Sequence, residues 1–453
     1  MKKTLMVAMA ACLALSLGGC GGKDQAAENG IVIWAPQGPV AAALDEMGAA
    51  YAKETGVPVK VNSMAAGALN EQVLLGASKD QTPFDIAVVP GRLLGQAVSA
   101  GVLLEVKASS LKAMNAKVLR TASEYPVGKK KYYSVPCQTD LLVMAVRKDW
   151  LADKDEKAAF KKKYRKALAA PVSWDDLKKV AAFFTRPDQK RFGLALVTGR
   201  GGDSLILGFQ QALIAFGGSW GDSTTYKVKG KLNSSSSVKA LAFYKDLLQY
   251  GPPGAANLGE AQAVEAMKAG ETAMAMVPVS ACADLAGNLG DKVAFMAVPK
   301  KGAQRAVSVR ASGLVVSAKV VQERQDRAKK FTAWFMTRNV QMEWAGKSGC
   351  FSGVSKVVDA KDFKKATAWN AAYPASLSSL RDFWNVTCAG EMAAAARNSL
   401  GEALDGSKEP KAALSELAVA HDQMLKDAGY GKKPAPQKAS AKAPAKKATR
   451  KKR

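Results

Sequence analysis

Residues 131–151 read KYYSVPCQTDLLVMAVRKDWL, and the reading of this stretch decides the fold. Pro136 disfavours a helical conformation at Val135, so residues 132–136 arrive as extended chain. Residues 141–146, LLVMAV, are an unbroken apolar run of strand length, the pattern of a strand buried on both faces. Between the two lies a polar patch, Gln138-Thr139-Asp140. A polar break inside chain that otherwise wants burial marks a passage from one core to another, in contact with solvent. The stretch therefore reads as the first crossover of a hinged, two-lobed protein. The alternative is one more strand of a single sheet, and the rest of the chain has to decide.

Upstream, residues 31–34 (IVIW) form a short strand stopped by Pro36 and Gly38. Residues 41–55 follow as a helix that Gly56 ends, and residues 57–61 are the next strand. Residues 68–78 are helical, and residues 84–89 (FDIAVV) are a third strand, stopped by Pro90-Gly91. Strands alternating with helices predict a parallel α/β sheet, whose ligands bind beyond the carboxyl ends of the strands. That rule sets Trp34, residues 64–67 with Ala66, and Gly91-Arg92 along one rim.

Downstream, Ser173 reads as a helix N-cap with Asp176 three residues on, a variant capping box. Further helices are expected over 204–216, 238–250, 261–269 and 324–344, with 380–416 mostly helical. Residues 272–277 read as a strand, and residues 307–317 as a second crossover broken at 310–313.

At 453 residues there is room for two or more cores. With 48% hydrophobic and 23% charged residues the composition is that of a globular protein. The net charge is +27, but Lys2, Lys3 and ten basic residues in 431–453 account for twelve of it, leaving about +15 on the body. That balance favours anionic surfaces or ligands without being a nucleic-acid signature. Residues 431–453 carry no acid and almost no large apolar side chain, so they read as a solvated, disordered tail.

At the other end, Lys2 and Lys3 precede an apolar segment at 5–17, too short to span a bilayer, that closes in Leu17-Gly18-Gly19-Cys20. This resembles the lipobox of bacterial lipoproteins and implies export, with lipidated Cys20 as the first mature residue holding the chain at a membrane surface. Residues 21–30 read as a polar tether.

The order of signals resembles the extracytoplasmic solute-binding proteins of ATP-binding-cassette importers, of the maltodextrin and glycerol-phosphate type. The residues carrying it are the strand ending in Trp34, YAKETG at 51–56, PFDI at 83–86, YSVP at 133–136 and PVSWDDL at 171–177. They continue with KAG at 268–270 before Ala273-Met274, the helix at 328–335, and LDG at 404–406 before a closing helix. The resemblance implies two α/β lobes, each a mainly parallel sheet flanked by helices, joined by hinge strands. It divides the chain into 31–135 with 310–353 as the first lobe, and 138–308 with 356–430 as the second. It implies a monomer in the periplasm or on the outer face of the cell membrane, with a sugar-like solute and membrane permease subunits as partners and no cofactor.

In that family the regions around Trp34, Trp220 and Trp384 face the cleft, where aromatic rings stack on sugars. Asp140 sits where relatives place a ligand-binding carboxylate, and Arg310 lies in the second crossover. The resemblance also puts Gln37, Gln138, Ser280 and Phe351 beside the ligand. Arg92 and Arg310 could bind a phosphate or carboxylate on it; ordinary ion pairs with neighbouring acids are the alternative. Pro278-Val279-Ser280 and Cys350-Phe351-Ser352-Gly353 depart from the maltodextrin-type pattern and point to a short ligand. Of the cysteines beyond Cys20, family placement favours a Cys282–Cys388 disulfide, with Cys137–Cys350 beside the hinge.

The chain has a single histidine, His421, read as an exposed helical residue, so neither a Ser-His-Asp triad nor a multi-histidine metal site can form within it. Asp175-Asp176 are explained by helix capping, and the loop at 199–204 (GRGGDS) lacks a P-loop's ending. Trp174, Trp334 and Trp344 read as core. Two rival functions stay open: a lipid-anchored carbohydrate hydrolase using paired carboxylates, and an envelope protein acting through its basic tail.

Overall fold

A computed structural model of the chain describes residues 29–347 and 351–431. The leader with Cys20, most of the tether, Cys350 and its pairing with Cys137, and nearly all of the basic tail lie outside the described residues. No helix among the described residues is long and apolar enough to cross a membrane.

The strands are β1 Ile31–Pro36, β2 Val59–Met64, β3 Ile86–Pro90, β4 Val135–Arg147, β5 Met274–Pro278, β6 Val293–Met296, β7 Val307–Val316 and β8 Leu380–Arg381. Their order is β2-β1-β3-β7-β4-β5, with β6 on β4 and β8 on β7. β1 pairs with β2 and β3 in parallel, as helical crossovers require. β7 runs antiparallel to β3 and β4, and β5 and β6 antiparallel to β4. The sheet is thus mixed rather than mainly parallel, because the returning strand β7 enters between β3 and β4.

β4 and β7 carry the two-core reading. Residues 135–141 of β4 pair with β7, while residues 142–147 pair with β5 and β6. β7 likewise pairs with β8 at its start and with β3 at its end. Each strand therefore belongs to two sheet regions in turn. The expected breaks at 138–140 and 310–313 are not gaps: both strands run through, and the irregularity is a register shift between Pro136 and Gln138. Pro136 has no N–H to give the ladder, so a bulge there costs little. The bulge leaves carbonyls to be satisfied in a buried place. The indole of Trp344 donates to the Cys137 carbonyl at 2.6 Å, and the Tyr373 hydroxyl to that of Thr139 at 2.8 Å.

Local rules explain most helix ends. Gly56 closes the helix Pro39–Thr55 in the left-handed region at φ 75°, and Ser173 caps Trp174–Phe184 by accepting from the Asp176 amide. The expected long helix at 324–344 is two helices, Gln322–Phe335 and Arg338–Gly346, because Thr337 takes extended geometry between them. The C-terminal helices Ala389–Asp405 and Pro410–Asp427 are separated by left-handed Gly406 and begin again at Pro410.

His421 corrects the sequence reading. It is fully buried, its Nε2 lies 2.8 Å from the Met392 carbonyl, and its ring packs near Phe383. The position shares a helical face with Leu414, Leu417, Ala418 and Leu425, so spacing outweighs polarity. Burial pushes its pKa down to about 4.

Candidate functional site

Two cavities meet where the sheet regions join, and Asp382 and Phe383 are walls of both. The first, about 230 Å³, lies against the crossing strands, with Gln138, Asp140, Arg310 and Ser312 in its lining. The Asp140 carboxylate accepts from the Ser280 amide at 3.1 Å, from the Ser280 hydroxyl at 2.9 Å and from Arg310 at 3.1 Å. Arg310 also holds Glu260 through two bonds of 2.6 and 2.7 Å. Burial alone would lower the Arg310 pKa, but Asp140 and Glu260 outweigh it and raise the guanidinium above its ordinary value. Arg92 pairs with Asp203 at the head of the helix Ser204–Ala215. These arginines line the cavity, and their charges are spent on acids of the chain, the ordinary-ion-pair alternative.

The second cavity is about 410 Å³, and Trp220, Tyr226, Phe383 and Trp384 give its wall an aromatic patch. Its far side is built by Lys117, Arg120 and Thr121 of the helix Ala116–Ala122. Gln210 fixes one wall twice over: its side-chain carbonyl accepts from the Trp220 indole at 2.7 Å, and its amide donates to the Arg381 carbonyl at 3.1 Å. Trp220 then meets Phe383 edge to face at 4.8 Å. Trp384 can pack against this turn because residue 221 is glycine: a Cβ there would lie 2.5 Å from the indole. The Trp384 Nε1–H and the Asn385 Oδ1 are buried without a hydrogen-bond partner among the described residues. A buried donor and a buried acceptor left unpaired are costly for folding.

Asp382 joins the two cavities. Its Oδ1 accepts from the Phe383 amide at 2.8 Å. Part of the residue remains accessible, yet the depth of the carboxyl pushes its pKa up to about 7, against the pull of the Phe383 amide and the Arg92 charge. Sequence reading did not single it out. The signal available was its place beside Phe383-Trp384, ahead of the closing helices.

Of the residues expected at the site, Ala66, Gly91, Arg92, Gln138, Asp140 and Arg310 come together in the first cavity, and Trp220 and Trp384 in the second. The others fall elsewhere. Trp34 is in the core, 5.1 Å from Phe84, because a strand ending inside a βα layer buries its last aromatic side chain. Gln37 is exposed beyond it, and Ser280 is exposed, acting on Asp140 alone. Phe351 is buried on Tyr373. The Cys282–Cys388 disulfide is not formed. Both thiols are free, Cys282 toward the Pro278 carbonyl at the start of its own helix and Cys388 toward Met392. Each sulfur is thus directed into its own helical turn. Trp174 and Trp344 are core as expected, while Trp334 is partly buried and donates to Glu54.

Residues 46–372 match the family model of the bacterial extracellular solute-binding proteins. The chain belongs to that family. No curated protein matches it by sequence. Among solved structures, this solute-binding protein is similar to the cyclic α-maltosyl-1,6-maltose binding protein of Arthrobacter globiformis, with TM-score 0.73 and 19% identity over 88% of this chain and 99% of that one. A solute-binding protein of Agrobacterium radiobacter K84 in complex with ribitol gives TM-score 0.69 and 20% identity over 87% and 98%. Maltose-bound T. maritima MalE3 gives 0.71 and 18% over 87% and 99%. The solute-binding protein accordingly has the two-lobed periplasmic-binding-protein fold, and the paired strands β4 and β7 are its crossing strands.

Proposed function

We propose that this protein is the solute-receiving component of an ATP-binding-cassette importer, which takes a sugar or polyol between its lobes and delivers it to a membrane permease. The observation that carries the reading is the aromatic cavity with its unpartnered Trp384 donor and Asn385 acceptor. Sugars and polyols offer such a wall apolar C–H faces and hydroxyls that both donate and accept. Family membership and structural relatives solved with ribitol, maltose, α-D-tagatose and D-mannitol support the same class. In this reading the lobes divide near 135–138 and 308–310, the protein works as a monomer, and lipidated Cys20 holds it outside the cytoplasm.

Titration of ribitol, mannitol and maltose against intrinsic tryptophan fluorescence tests it. The expected result is saturable binding of roughly micromolar affinity, about 8 kcal/mol, for at least one of them. Trp384→Ala should weaken it by about tenfold, the scale of one lost aromatic contact. Unchanged affinity in Trp384→Ala would show that the ring is packing only and remove the main support for a saccharide.

A further inference from the structure

A third cavity, about 610 Å³, opens beside the aromatic one and shares Ile214, Gly218 and Arg381 with it. Its charged lining is Lys300, Arg305 and Arg381, and no Asp or Glu among the described residues contributes to it. Gln304, Ser378 and Ser379 add neutral hydrogen-bonding groups. Elsewhere the partly buried arginines find acids: Arg147 with Asp149, Arg186 with Glu156, Arg324 with Asp85, and Arg310 with Asp140 and Glu260. Arg305 does not. Its Nε is buried without a partner among the described residues, and burial lowers its pKa with no carboxylate among them to compensate. Arg381 is held in place by β8 pairing with β7, and its Nη1 donates to the Leu380 carbonyl at 2.7 Å.

Three cations around one cavity repel one another, and a buried guanidinium nitrogen without an acceptor is costly. An oxyanion in the cavity would offset the repulsion through charge-assisted hydrogen bonds from the cationic side chains that line it. We propose that this cavity holds the anionic end of the transported solute, a phosphate or carboxylate, with Arg381 as the link to the polyhydroxylated part in the aromatic cavity. The ligand class is thereby narrowed to phosphorylated or acidic sugars and polyols. The anionic contact is made by Arg305, Arg381 and Lys300, rather than by Arg92 and Arg310. This inference rests on the reading of the aromatic cavity as the sugar site.

Isothermal titration with inorganic phosphate and, separately, acetate tests the anion pocket without knowledge of the sugar. Saturable binding in the millimolar range is expected, weakened about tenfold or more in Arg305→Gln/Arg381→Gln and retained in Trp384→Ala. Phosphate binding alone would assign a phosphorylated solute, acetate binding alone a carboxylated one. Ribitol 5-phosphate and glucuronate should then bind at least about tenfold more tightly than ribitol and glucose, an advantage that rising salt erodes and the double variant removes. Because that salt comparison uses the unaltered protein, it holds even if the variant misfolds. No saturable binding of either anion, or anion binding unaffected in a folded double variant, would overturn the inference while leaving neutral-sugar binding and its dependence on Trp384 intact. Anion binding without any sugar binding would instead remove the saccharide reading, and with it the joined site.

Discussion

Arg310 and the trio of Lys300, Arg305 and Arg381 occupy neighbouring parts of the same cleft region and are treated oppositely. Around Arg310 the chain supplies Asp140 at 6% exposure and Glu260 with its side chain at 13%, so each charge is neutralised where it stands. Around Arg305 no acid stands among the described residues. The first cluster ties β7 to β4 and to the helix Glu260–Lys268, fixing where the crossing strands lie. The second lines a cavity to which no acid among the described residues contributes. A charge satisfied within the chain positions the site; a charge left unsatisfied beside a cavity is available to a ligand.

The largest effect separates the two clusters by stability. Removing one partner of a buried pair costs about 3–5 kcal/mol. The Arg310 side chain keeps 40% of its surface accessible despite the depth of its guanidinium, so solvent will repay part of the loss. Arg310→Met should therefore lower the unfolding free energy by about 2 kcal/mol, read from the urea midpoint at constant slope. Arg305→Met and Arg381→Met should each change it by less than about 0.5 kcal/mol or raise it. Equal losses in all three would erase the distinction between structural and ligand-facing cations.

The charge of the cleft wall also changes with pH. Asp382 faces Lys117, Arg120 and Arg381 across one cavity and Arg92, Asp140, Asp203 and Arg310 across the other. With its pKa pushed up to about 7, it gains a proton as pH falls through that value and takes a negative charge out of the wall. Glucuronate, which stays ionised over that range, should bind roughly three- to tenfold more tightly at pH 6 than at pH 8. Glucose should show no such trend, and Asp382→Asn should flatten it. A glucuronate affinity that does not rise on acidification would mean that Asp382 remains ionised in the site.

Much of the fold was legible because it is written in local signals. The alternation of residues 31–89, Gly56, the Ser173 cap and the apolar run 141–146 each locate an element through short-range physics. The joining of two cores was readable from the polar patch at 138–140, but the form it takes was not. Polar residues in a continuous strand can be satisfied by side chains distant in sequence, here Ser280 and Arg310. The site was legible only in part for the same reason. Trp34 at a strand end, Trp220 in a Gly-Gly loop and Trp384 ahead of the closing helices were equal candidates by family placement, yet Trp220 and Trp384 line a cavity and Trp34 is core. Whether an arginine is paired depends on acids 50 and 170 positions away, as for Arg310, or on their absence, as for Arg305. No local pattern encodes that.

If the cleft holds a small polyhydroxylated anion, that molecule can be recovered from the protein. The most direct measurement is mass spectrometry of what the protein retains. The purified protein is incubated with a metabolite extract, washed by gel filtration and denatured, and the released molecules are compared with those from Trp384→Ala and Arg305→Gln/Arg381→Gln treated alike. The prediction is a near-stoichiometric sugar or polyol bearing phosphate or carboxylate, depleted in both variants. A retained amino acid, peptide or uncharged sugar, or equal retention by all three proteins, would contradict it.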